Sequence, residues 1–133
     1  AIALMNSGTG PAAAMSYPLG VHFNVPHGIG GGIFLPHVIQ HNINLGFYEY
    51  AGLCTVGDIH IENKQIALDF INKMWNVWNI LEVNQDLTKF GMKKEHVDIF
   101  VSDTMDLRLA LDQNPTPFYE EEIKSTLKKL NIK

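Results

Sequence analysis

Apolar residues recur through the C-terminal half of this chain at the spacing of a single helix face. Ile66, Phe70, Met74, Val77 and Leu81 follow one another at steps of four, four, three and four. That spacing predicts a helix from about Glu62 to Leu81 with this stripe turned inward. Trp75 and Trp78 widen the face and read as core aromatics with no role in a site. A further helix is predicted from Lys93 to about Met105, with Val97, Phe100, Val101 and Met105 on its inner side. Asn114-Pro115-Thr116-Pro117 then stops helical structure, because each proline lacks an amide donor and steers its predecessor out of helical geometry. In the last element Glu120, Glu121 and Glu122 stand at the start and Lys128 and Lys129 near the end, the order of charge that suits the helix dipole. Ile123, Leu127 and Leu130 provide its buried stripe.

The N-terminal half is patterned differently. An Ala-rich helix over Pro11 to Ser16 is expected to stop at Pro18 and Gly20, and Pro26 with Gly28 makes a second turn that opens a third helix near Ile29. No lysine or arginine precedes Lys64, and Glu49, Asp58 and Glu62 are the acids before it. A domain surface normally mixes both charges, so this half is expected to be covered by another domain, another subunit or more of the same chain.

The totals narrow the class. At 133 residues, 46% of them apolar, the chain is long enough for a sizeable core. A formal charge of -4 leaves no electrostatic footprint for nucleic acid or an anionic membrane. No run is long and apolar enough for a membrane helix. The apolar start AIALMNSGTGPAAAM has neither an initial Met nor the positive region of a signal peptide, and is expected to be a chain entered part-way along. The single cysteine, Cys54, cannot form an internal disulfide, which suits a cytoplasmic location, and it reads as a small buried residue.

Candidate chemistry is concentrated in Ser16 to Asn42, an uncharged stretch that holds His22, His27, His37 and His41. His27 sits between Pro26 and Gly28 at a helix entrance, a rigid place from which an imidazole can be aimed at a metal or a substrate. A turn histidine bonded to backbone is the plainer alternative. His37 and His41 are one helical turn apart, which two ligands can use, but Pro36 beside His37 favours packing, and His41 reads as an exposed helix residue. His22 is a further imidazole that could ligate a metal. Gly28-Ile29-Gly30-Gly31-Gly32 lacks both GxGxxG and a GK[ST] ending, so close backbone packing explains it better than phosphate binding.

Pro18-Leu19-Gly20, Asn24, Pro26-His27-Gly28 and Leu35-Pro36-His37 occur in the order of the metal-site segment of the iron-containing (group III) alcohol dehydrogenases, HxxxHPLG, YN, PHG and LLPHV, and the chain resembles that family. The end NPTPFYEEEIKSTL is similar to the family's NPRPLTxEDIxxIL, so the likeness runs from Pro18 to Leu130. It departs at Tyr119, which stands where a threonine would cap the last helix, so that helix is expected to fray more. Aligned on PHG without gaps, Ala13 and Tyr17 stand where the family carries a ligand histidine and a pocket histidine. A methyl group cannot donate to a metal and phenol is a poor ligand beside imidazole, so His27 is the surviving direct ligand match. Tyr17 keeps a hydroxyl that can serve as an acid in carbonyl reduction, with aromatic packing as its alternative.

The resemblance implies an all-α fold, the multi-helix C-terminal domain of the dehydroquinate synthase-like, iron-containing alcohol dehydrogenase fold, with residues 1–133 part of one helical metal and substrate domain. It further implies a missing N-terminal nucleotide-binding domain that binds NAD or NADP, and a divalent metal, iron or zinc, held by His27 with ligands from upstream. The parent would interconvert a small alcohol and an aldehyde or ketone, the metal polarising the carbonyl oxygen while hydride passes to or from nicotinamide. This chain alone would not be active, and a homo-oligomer is left open. Two other readings stand beside this one. The first is a non-catalytic helical interaction domain derived from the same family, which the loss of two site histidines would suit. The second is a free-standing metal-binding domain built on His22, His27, His37 and His41.

Overall fold

The computed structural model describes residues 9–54 and 62–133, and every element among them is helical. Helix α1 (Pro11–Phe23) and helix α2 (His27–Asn44) form a hairpin around the short turn Asn24–Pro26 and pack on each other more extensively than any other pair. A 3-10 turn (Glu49–Leu53) precedes α3 (Asn63–Ile80). Two further 3-10 turns (Leu87–Phe90 and Lys94–His96) lead into α4 (Val97–Asp106) and the single turn α5 (Arg108–Leu111), and α6 (Glu120–Lys129) closes the fold. None of these helices is long and apolar enough to cross a membrane.

Helix α1 does not stop at Pro18 or Gly20 as the sequence pattern suggests. A proline inside a helix costs roughly 3 kcal/mol through its missing amide and its ring. Burying Leu19 returns about 1.5–3 kcal/mol, and Pro18 is itself buried, so continuing the helix across both is the better solution. The true stop is Asn24, in the left-handed region at φ 54°, whose N–H bonds the Gly20 carbonyl while the Val25 N–H reaches back to Leu19. Gly20 makes this return possible, since a Cβ there would lie 3.3 Å from the Val25 carbonyl oxygen.

Two apolar clusters hold the elements together, and α2 contributes to both. Ile33, Phe34 and Val38 of α2 join Met15 and Leu19 of α1, Phe100 of α4, and Ile123 and Leu127 of α6 in the main core. Further along α2, Ile39 and Ile43 meet Ala67 and Ile71 of α3 in the second. Ala67 and Ile71 are therefore the buried residues of α3, Phe70, Met74 and Trp75 pack beside them, and Val77 and Leu81 of the expected stripe are exposed. The reason is local: α3 rests on α2 and on the Glu49–Leu53 turn, and small Ala67 lets it approach closely. The stripes of α4 and α6 agree with the pattern in the sequence, with Phe100, Val101, Ile123, Leu127 and Leu130 buried.

Tyr119 does not cap α6 as a threonine would, and its phenol is used elsewhere. The Tyr119 hydroxyl donates to Asp112 at 2.9 Å and leaves the first amides of α6 alone, while the Glu122 carboxylate accepts from the Tyr119 N–H at 2.9 Å. The Arg108 guanidinium lies over the Tyr119 ring at 4.2 Å and bonds Asp112, so α5 and α6 are joined at this corner.

Candidate functional site

The α1–α2 hairpin carries a cavity of about 490 Å³ on one side. Pro11, Ala12 and Ala13 form one wall, His27, Gly28, Gly31 and Gly32 the facing one, and Leu35, Val38 and Ile39 continue along α2 toward Tyr50 and Asn114. Three of the glycines shape this space by having no side chain: a Cβ at Gly28, Gly31 or Gly32 would meet nothing within 4 Å. Gly30 differs. A Cβ there would lie 2.9 Å from Ser16 Cβ, so the two helices cross at the thickness of a glycine. The expectation that close packing explains the glycine run holds at Gly30, and the others open the cavity.

His27 is the first residue of α2, exposed at the helix entrance where the pattern places it. Its Nδ1 lies 2.6 Å from Ser16 Oγ, and that hydroxyl also donates to the Ala13 carbonyl oxygen at 2.8 Å. The ring is therefore held by a buried side chain of the neighbouring helix and not by backbone. His27 and Ala13 line the same cavity, so the imidazole and the Ala13 methyl group border one space. Tyr17 follows Ala13 by one helical turn, is 54% exposed, and does not line the cavity.

The other histidines are each engaged elsewhere. His22 Nε2 donates to Asp103 at 2.6 Å, joining α1 to α4. His37 Nε2 donates to Gln85 at 2.8 Å, its ring edge-on to Trp75, and burial holds it below the usual histidine range. His41, expected to be an exposed helix residue, is half-buried: it donates to the Pro117 carbonyl at 3.0 Å and packs on Phe118. These partners lie in different directions, and among the described residues no three His, Cys, Asp or Glu side chains gather closely enough to hold a metal ion. His22, His27, His37 and His41 are therefore not gathered into one metal site. Catalytic divalent-metal sites take about three protein ligands, so the single imidazole of His27 does not complete one from these residues. Cys54 is free and half-buried rather than buried.

Four residues that matter to the site were not singled out by pattern. Ser16 is one, a buried serine in an Ala-rich helix. The others are Asn42, Tyr50 and Asn114, which tie the far end of the cavity together. The Asn42 and Asn114 amides pair reciprocally at 2.9 and 2.7 Å, Asn42 also donates to the Tyr50 hydroxyl at 2.8 Å, and Thr116 donates to Asn42 at 2.6 Å. Burial pushes the Tyr50 phenol above its ordinary value, the Asn42 amide partly opposing that shift. Asn114 was visible in the sequence only as the start of a proline stop. In the structure that stop anchors the chain to α2.

An all-helical arrangement of this kind is found in oxidoreductases. A solved structure of 1,3-propanediol oxidoreductase matches 91% of this chain with a TM-score of 0.75 at 22% identity, over 32% of that enzyme's own length, which establishes the fold. The Fe-containing alcohol dehydrogenase family, C-terminal, matches residues 1–131, and the chain belongs to that family. Among curated relatives, 4-hydroxybutyrate dehydrogenase of Clostridium kluyveri is 28% identical over 97% of this chain and 35% of its own length. Lactaldehyde reductase of Escherichia coli is 33% identical over 46% of this chain and 16% of its own. The chain spans about a third or less of the length of these proteins.

Proposed function

We propose that residues 1–133 are part of one helical metal and substrate domain of an NAD(P)-dependent, alcohol dehydrogenase-like oxidoreductase that interconverts a small alcohol and an aldehyde or ketone. The observation that carries this is His27, aimed at a glycine-walled cavity and held by Ser16, in a chain of this family. NAD or NADP is bound mainly by an upstream nucleotide-binding domain. That domain covers part of the N-terminal half, which carries few charges and leaves Tyr17, Val21, Ile29 and Leu35 exposed, and a cytoplasmic location suits the single cysteine. His27 is the ligand this chain offers to iron or zinc, and the remaining donors come from outside the described residues. Tyr17 meets substrate from the surface beside the cavity, in the position of the family's pocket histidine. The test is metal analysis and turnover with the intact protein. Stoichiometric iron or zinc that is lost in His27→Ala, together with nicotinamide-dependent oxidation of an alcohol, supports the proposal.

A second function is favoured by one feature of the cavity. Ala13 faces it with a methyl group and Tyr17 lies off it, so neither histidine position keeps an imidazole. This suits a non-catalytic helical interaction domain derived from the same family. An intact protein that binds neither metal nor nicotinamide and turns over no alcohol or aldehyde would sink the first function and leave the second standing.

A further inference from the structure

The contacts of one hydroxyl decide which nitrogen of His27 carries the proton. Serine has one O–H proton and two lone pairs. Ser16 Oγ is 2.8 Å from the Ala13 carbonyl oxygen, which can only accept, and 2.6 Å from His27 Nδ1. If the hydroxyl proton went to Nδ1, two oxygens would face each other at 2.8 Å with no hydrogen between them. If it goes to the carbonyl, both contacts become hydrogen bonds, provided that Nδ1 donates. Ser16 is 1% exposed, so bulk water does not reach its hydroxyl to replace either contact.

We propose that Ser16 is a positioning residue that holds His27 as its Nδ1–H tautomer and leaves Nε2 as the unprotonated nitrogen at the cavity wall. His27 then presents a lone pair at Nε2 and can accept a metal ion or a proton there, but cannot donate a hydrogen bond from that atom. Gly30 is part of the same device. It follows His27 by three residues, and the close crossing at Gly30 and Ser16 is what brings the hydroxyl of α1 against a ring on α2. The tautomer rests on these contacts alone, and its use toward a metal rests on the dehydrogenase reading above. The experiment therefore reads the tautomer without metal, cofactor or turnover.

The measurement is long-range ¹H–¹⁵N correlation NMR of the full chain with ¹⁵N-labelled histidine at about pH 8, where neutral imidazole predominates. His27 is assigned by the signals lost in His27→Gln. The expected result is a pyrrole-type shift at Nδ1 and a pyridine-type shift at Nε2, the reverse of the preference of a free histidine side chain. In Ser16→Ala the majority form should pass to Nε2–H while the far-UV circular dichroism is unchanged. A His27 that is mostly Nε2–H in the unmodified chain overturns the proposal whether or not Ser16→Ala folds. A folded Ser16→Ala that keeps the Nδ1–H form overturns it equally.

Discussion

The Trp78 indole N–H donates to the Gly32 carbonyl oxygen at 2.6 Å, and Gly32 is the residue whose helical partner four positions on is Pro36. Proline has no amide proton, so the carbonyl that Pro36 leaves without its helix bond is supplied by a side chain of α3. This explains how α2 runs through Pro36 to Asn44, and it fixes α3 against the helix that carries His27. Trp78→Phe should destabilise the fold by about 1–3 kcal/mol, the usual cost of stranding a part-buried acceptor. In a Pro36→Ala background, residue 36 has its own N–H for Gly32. The cost of Trp78→Phe should then shrink by about 1 kcal/mol in urea denaturation. Equal costs in the two backgrounds would show that the indole contact does not serve the proline gap.

The glycines of α2 should separate into two behaviours. Gly30→Ala places a methyl group 2.9 Å from Ser16 Cβ and 3.3 Å from Ser16 Cα, atoms that cannot swing aside. Overpacking of this kind costs about 1–3 kcal/mol, against a helix-propensity gain of about 1 kcal/mol, so the net effect is a loss. Gly31→Ala meets nothing within 4 Å and should gain up to about 1 kcal/mol, while narrowing the cavity. Urea midpoints of the two variants check this. A stable Gly30→Ala would mean that the hairpin can open without penalty.

Much of this architecture was legible because burial imposes a period on sequence. Ile123, Leu127 and Leu130 could be assigned to the buried side of the last helix from spacing alone, since its sequence offers no competing apolar stripe. Spacing failed where tertiary partners choose among several apolar stripes. On α3 the expected stripe holds at Phe70 and Met74, which pack on the second cluster, but the fully buried positions are Ala67 and Ile71, and Val77 and Leu81 face outward. Pro18 misled for a related reason, because a proline's local cost is visible in sequence and the burial of Leu19 that offsets it is not. At the site, His27 stood out through its flanking Pro26 and Gly28. Ser16 did not, since nothing about a serine in an Ala-rich helix says which ring will cross it 11 residues later.

His37 should impose a pH dependence on stability. Burial lowers its pKa in the folded state, Lys129 adds to that, and the Gln85 acceptor partly opposes it. In the unfolded chain the same imidazole takes a proton as pH falls through about 6.5, while the folded protein resists it. The unfolded state then binds more protons, so stability declines as pH drops below about 6.5 and levels off below the lowered folded value. His37→Gln should remove that part of the slope. Urea midpoints measured between about pH 5 and pH 8 decide it, and parallel curves for the two proteins would assign the slope to other groups.

Ala13 and His27 line one cavity, so a second imidazole can be introduced beside the first. The unmodified chain offers a metal one imidazole there, and among the described residues no group of three ligating side chains adds to it. Ala13→His places a second imidazole on the facing wall, and two neutral imidazoles bind a divalent ion more tightly than one. Titration of the full chain with Co²⁺, followed by its visible absorption, should show binding at least about tenfold tighter in Ala13→His than in the unmodified chain, a gain of about 1.4 kcal/mol. The gain should vanish when His27→Ala is added, because the pair and not the new side chain alone holds the ion. If the double variant retains it, the two positions do not face a common ion, and Ala13 is then not the vacated ligand position that the alignment on Pro26-His27-Gly28 implies.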